Sequence, residues 1–113
     1  MVQLTFLSGT HKGQQLRLEL PVIRLGRSED CDVRLDDQQD LTVSSHHAEI
    51  VVEDGAYVVI DTGSTNGTWV NDQRLLEPHE LKVFDRIRAG LVLFVFDKEF
   101  APPGPPKKPD TPK

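Results

Sequence analysis

Three polar segments, two of them containing glycine, interrupt the short apolar runs of this 113-residue chain. The first is Gly26-Arg27-Ser28. The second is Thr42-Val43-Ser44-Ser45-His46-His47-Ala48, and the third is Asp61-Thr62-Gly63-Ser64-Thr65-Asn66-Gly67-Thr68. Together they offer one guanidinium, several hydroxyls, a carboxamide and loop backbone N–H groups. Charge-assisted donors from Arg, with neutral donors from hydroxyls and amides, are the inventory for holding a phosphate. Each residue also has a plainer reading. Arg27 by itself is an ordinary surface arginine. Ser44 and Thr65 suit turns that bond their own backbone. Asn66-Gly67 is a dipeptide favoured in type I′ turns.

Other chemistry is poorly represented. His46 and His47 are adjacent, and neighbours on a strand point to opposite faces, so they chelate poorly together. His11 and His79 lie in no ligand pattern, and no metal site is expected. A hydrolase would need His47 with Ser44 or Asp61, but no nucleophile elbow or triad spacing is present, so no catalytic residue is assigned. The single cysteine, Cys31, rules out an intrachain disulfide and a cysteine-based metal cluster, which suits a reducing cytoplasmic setting. Trp69 reads as core or edge packing.

The segments that must position these residues read as strands. Gln3–Leu7, Val22–Leu25 and Val33–Leu35 are short apolar runs. Residues 15–20 alternate strictly, which predicts one buried face. Ala48–Val52 and Tyr57–Ile60 flank Asp54-Gly55, a hairpin signal. Thr68–Val70 and Gln73–Leu75 flank Asn71-Asp72. Asp85–Ala89 and Val92–Phe96 flank a turn at Gly90. No long stretch holds a helical apolar period. About ten short strands separated by turns mean an all-β sandwich or barrel.

The formal net charge is −5. The negative excess lies in residues 1–100, since the remaining segment carries three lysines and one aspartate. An acidic body argues against nucleic-acid binding, and it makes any anion site a local construction. No apolar run is long enough to span a bilayer as a helix. The division falls near residue 100. Six of the thirteen residues in 101–113 are proline and none is a large apolar residue, so this part reads as an extended, disordered linker or tail. A linker there implies further domains beyond it.

Gly-Arg, then Ser-x-x-His, then Ser-Thr-Asn-Gly-Thr, in this order within an all-β chain, resembles the forkhead-associated (FHA) family. Arg27 and Ser44 are seventeen positions apart, and Ser44 and Asn66 twenty-two. The likeness covers about residues 1–100. It implies a β-sandwich of about eleven mostly antiparallel strands. It also implies a non-enzymatic signalling or assembly adaptor, without a cofactor, that recognises phosphothreonine in partner proteins. By the same resemblance Arg27 grips the phosphate, Ser44 and Thr65 donate to it, and Asn66 bonds the peptide backbone. Ser45 is the remaining peptide-binding position, and it stands where many members carry Arg or another long polar residue. Gly26, His47 and Gly67 support the site. The run Asp36, Asp37, Asp40 reads as a solvated loop. Leading into the Ser44 segment, it predicts a rim less positive than usual, favouring basic or aliphatic residues after the phosphothreonine.

Overall fold

A computed structural model describes residues 2–98; the proline-rich segment 101–113 lies outside the described residues. The strands are β1 (Val2–Phe6), β2 (Gln15–Leu18), β3 (Val22–Gly26), β4 (Val33–Arg34), β5 (Ala48–Glu53), β6 (Ala56–Asp61), β7 (Thr68–Val70), β8 (Gln73–Arg74), β9 (His79–Glu80), β10 (Arg86–Ala89) and β11 (Val92–Lys98). They form two sheets. One has six strands in the order β2-β1-β11-β10-β7-β8, and the other five, in the order β4-β3-β5-β6-β9. The β3–β4 pair is parallel, and the other registered pairs are antiparallel. The all-β sandwich expected from the sequence is the observed architecture.

Alternation explains how the two sheets meet. Val2, Leu4 and Phe6 of β1 are buried while Gln3 and Thr5 turn outward. Val92, Phe94 and Phe96 of β11 do the same in the next strand. From the facing sheet, Ile23, Leu25, Ile50 and Val59 complete the core. A two-residue side-chain period lets each strand present one apolar face to the interior. Phe6 and Phe94 meet at 5.5 Å between ring centroids.

The hairpin signals correspond to real turns. Asp54-Gly55 has φ of 50° and 80°, and Asn71-Asp72 has 49° and 68°. Two consecutive left-handed residues match the twist of the flanking strands, which is why Asx and Gly occupy these positions. Asn66-Gly67 differs. Only Gly67 takes a positive φ, 87°, so this dipeptide is no type I′ turn.

Two local expectations need correction. The alternating segment beginning at Gln15 does not bury one face fully. Its strand ends at Leu18 and lies at a sheet edge, so Leu16 and Leu18 are half-buried and Leu20 is exposed. Strand β9 was not visible in the sequence. It has two exposed residues, and it exists because the free edge of β6 pairs with them. Two residues carry no period to read.

Candidate functional site

The three polar segments are the loops β3–β4, β4–β5 and β6–β7, and hydrogen bonds stitch them together. The backbone N–H groups of Arg27 and Ser28 donate to the carbonyls of Ser44 and Ser45, at 3.2 and 3.0 Å. Thr65 N–H donates to Ser44 Oγ at 3.0 Å, and Asn66 Nδ2 donates to the Thr42 carbonyl at 2.9 Å. Gly26 makes the first contact possible. A Cβ there would lie 2.1 Å from the Ser45 carbonyl oxygen, so any side chain would push the loops apart.

His47 lies beneath this surface with no exposure. Its Nδ1 accepts from Ser44 N–H at 3.0 Å, and its Nε2 contacts the Gly67 carbonyl at 2.8 Å. A carbonyl only accepts, so Nε2 carries the proton and the ring is the neutral tautomer. Burial lowers its pKa further, against the opposing pull of the Gly67 carbonyl and Asp61. With Nδ1 taken by a backbone donor, His47 has no lone pair to offer as a base. Asp61 is also committed. Its carboxylate accepts from the N–H groups of Gly63 and Ser64 and from the hydroxyls of Ser64 and Thr68. The Ser44–His47–Asp61 hydrolase geometry is therefore not formed.

Burial alone would raise the Asp61 pKa. The four hydrogen bonds outweigh it and hold the group at about 2. A carboxylate depressed below its unfolded value stabilises the fold above that value, and the contribution is lost as pH falls through the folded one. Thermal melts should therefore show a decline between roughly pH 4 and pH 2 that Asp61→Asn largely removes. An equal acid-induced decline in the variant would mean that other carboxylates carry it.

The site residues present their remaining donors at the loop tips. Arg27 is half-buried. Its Nε and Nη1 donate to the carbonyls of Val43 and Asp37, so the guanidinium plane is set by the β4–β5 loop. Nη2 has no hydrogen-bond partner among the described residues. Ser44 Oγ accepts from Thr65, which leaves its own proton to donate outward. Thr65, Asn66 and Ser45 are exposed beside it. A cleft lined by Ile60, Gly63, Ser64, Arg74 and Leu75 borders the third loop. The donor cluster is an open surface rather than a cavity.

Three supports were missed in the sequence. Thr42 receives the Asn66 amide on its carbonyl, and its hydroxyl oxygen accepts from Leu91 N–H at 2.9 Å. Gly90 brings the β10–β11 turn against that loop. A Cβ there would lie 2.4 Å from the Thr42 carbonyl oxygen. The only sequence signal was a glycine in a turn. Arg34 is the third. Its Nε donates to the Arg27 carbonyl at 3.1 Å, which puts a second cation near the first.

The acidic run is a solvated loop at Asp37, Gln38 and Gln39, as expected, but not at Asp40. Asp40 is buried and accepts from Thr10 N–H, Thr10 Oγ1 and Asp36 N–H, latching the β1–β2 loop to the β4–β5 loop. Asp36 caps the N–H groups of Gln38 and Gln39. Asp37 remains exposed, 3.5 Å from Arg34. Trp69 packs at the sheet surface, with Arg88 4.6 Å from its ring centroid.

Comparison with known proteins returns one family. The model described as FHA domain matches residues 23–90. The glycogen accumulation regulator GarA of Mycolicibacterium smegmatis is 38% identical over 91 residues, covering 78% of this chain and 53% of that protein. The oxoglutarate dehydrogenase inhibitor of Corynebacterium diphtheriae is 37% identical over 91 residues, covering 78% of this chain and 59% of that one. The chain thus spans little more than half the length of these relatives. Among solved structures, Mycobacterium tuberculosis EmbR in complex with a low-affinity phosphopeptide superposes with a TM-score of 0.77 at 31% identity, over 91% of this chain and 26% of the other.

Proposed function

Given that this chain belongs to the FHA domain family, whose members are non-catalytic modules that generally bind phosphothreonine peptides, we propose that its own loop surface captures a phosphothreonine segment of a partner protein. The observation that carries this reading is the Thr65 N–H to Ser44 Oγ bond. It joins the second and third loops and leaves the serine's own proton free to donate to a phosphate. Arg27 supplies the charge-assisted contact to the phosphate, and its planar fork suits that geometry. Ser44 and Thr65 donate from the opposite side. Asn66, held by Thr42, presents its carboxamide to the peptide backbone.

Beside Asn66 lies a shallow recess lined by Thr42, Trp69, Gly90 and Leu91, with Arg88 at its edge. It fits an aliphatic side chain of the bound segment. The body is acidic, so the affinity must come from these local donors rather than from the overall field.

Titration of the chain with matched peptides tests the proposal. A phosphothreonine peptide should bind, its unphosphorylated form should not, and phosphoserine should bind at least about fourfold more weakly. One buried methyl is worth about 0.8 kcal/mol. Equal binding of the unphosphorylated peptide would overturn the reading and favour a phosphate-independent assembly surface. Equal affinity for the two phosphorylated peptides would reduce the surface to a plain anion site.

A further inference from the structure

Three further groups converge near the Ser45 carbonyl. Asp30 and Cys31 come from the β3–β4 loop and His46 from the end of the β4–β5 loop. One ligand atom from each lies within 4.8 Å of the others. His46 Nε2 is 2.9 and 3.1 Å from the two Asp30 oxygens, so the imidazole is already oriented. Cys31 Sγ is buried and points to the Ser45 carbonyl at 3.3 Å. All three residues line one small cleft of roughly 100 Å³, together with Arg24, Ala48, Glu49 and Thr62. The sequence had paired His46 with His47. Folding instead turns His47 inward and leaves His46 facing an acid and a thiol that precede it by some fifteen residues.

We propose that Asp30, Cys31 and His46 form a zinc-binding site. Carboxylate, thiolate and imidazole are the donor types that zinc accepts, and three protein ligands leave a fourth position for water. Ligand atoms around a tetrahedral zinc stand about 3.3–3.8 Å apart, given bonds of about 2.0–2.3 Å. The cluster therefore closes by about 1 Å of side-chain movement. Two of the side chains are exposed and free to make it.

The chemistry balances. The Cys31 thiol gives its proton to solvent, and the sulfur lone pair forms the bond to zinc; His46 binds as the neutral ring with its proton moved from Nε2, which now faces the Asp30 carboxylate, to Nδ1. Without metal the thiol is held protonated by burial and by the carboxylates of Asp30 and Asp32, which push its pKa up. The cation removes that penalty. The Ser45 carbonyl loses the S–H donor but keeps its bond from Ser28 N–H. Asp30 and the bound thiolate offset the two positive charges. Arg24 also lines the cleft, but it lies directly across the sheet from Glu49.

The site does not depend on phosphopeptide binding, and neither would its test. The reduced full chain is titrated with cobalt, which stands in for zinc and is coloured. A thiolate-to-cobalt band in the near ultraviolet is expected, to be displaced by zinc and lost in Cys31→Ser. In separate titrations, zinc affinity should fall more than about tenfold in His46→Asn, whose side chain is exposed and whose melting curve should match wild type. Zinc affinity should also weaken as pH drops, because protons compete with the metal for its donors. No near-ultraviolet band in the wild-type chain, or unchanged zinc affinity in a folded His46→Asn, would overturn the assignment.

Discussion

Arg27→Ala should weaken phosphopeptide binding by about 30-fold or more while the chain still folds. Truncating one partner of a desolvated charge pair costs roughly 2–5 kcal/mol. In this site Arg27 is the cation whose guanidinium is already immobilised, by the Val43 and Asp37 carbonyls. The peptide therefore meets a donor that has little rotamer entropy left to lose. Those same two bonds mean the variant will not be thermally silent. Each is worth about 0.5–1.5 kcal/mol, so a lower melting midpoint is expected with a cooperative transition retained. Arg27→Lys separates charge from geometry. It keeps the positive charge but cannot make the planar two-carbonyl bridge, so it should fall between wild type and alanine. Calorimetric titration with one phosphothreonine peptide decides the matter. Affinity within about threefold of wild type in a folded Arg27→Ala chain would remove Arg27 from the site.

His47→Ala should produce the largest loss of stability among single changes at the site. The ring is fully buried and serves a donor and an acceptor at once, Ser44 N–H and the Gly67 carbonyl. Removing it leaves both unpaired and opens a cavity. Stranded buried polar groups cost about 1–3 kcal/mol each, so a loss of roughly 2–6 kcal/mol is expected before any cavity cost. For a domain of this size that lowers the melting midpoint by about eight degrees or more, at about 4–8 °C per kcal/mol. Peptide binding falls because Ser44 and the third loop are no longer held in register. Two readouts distinguish this from direct contact. A chain that melts like wild type yet binds nothing would make His47 a ligand of the phosphate. A chain that melts early, but whose folded fraction at low temperature still binds weakly, matches the bracing role.

Neither effect could be sized from sequence alone, although both residues were recognised there. The resemblance to the family implied that His47 is a brace. It did not reveal that one ring nitrogen would hold the second loop and the other the third. That pairing spans twenty residues and depends on how β5 and β6 register, Ala48 against Asp61. The acidic run shows the opposite failure. Asp40 looked like its neighbours Asp36 and Asp37 because composition reports charge and not burial. Its side chain is buried because Thr10, thirty residues earlier, supplies two donors.

What the sequence determined by itself was local. Two-residue alternation set which faces of β1, β3, β5, β10 and β11 turn inward, because side-chain direction in an extended chain follows from covalent geometry. The dipeptides Asp54-Gly55 and Asn71-Asp72 set their hairpins, because few residue types accept two left-handed conformations in succession. Order and spacing of the three polar segments marked the family. The tertiary structure decided everything that needs two distant segments to touch. It ran β2 along an edge, where alternation could not bury a face, and it recruited β9 to a free backbone edge. It drew Thr42 and Gly90 under Asn66, and it gathered Asp30, Cys31 and His46 around one cleft. Such contacts arise from loop closure over tens of residues, and no short window of sequence contains both partners.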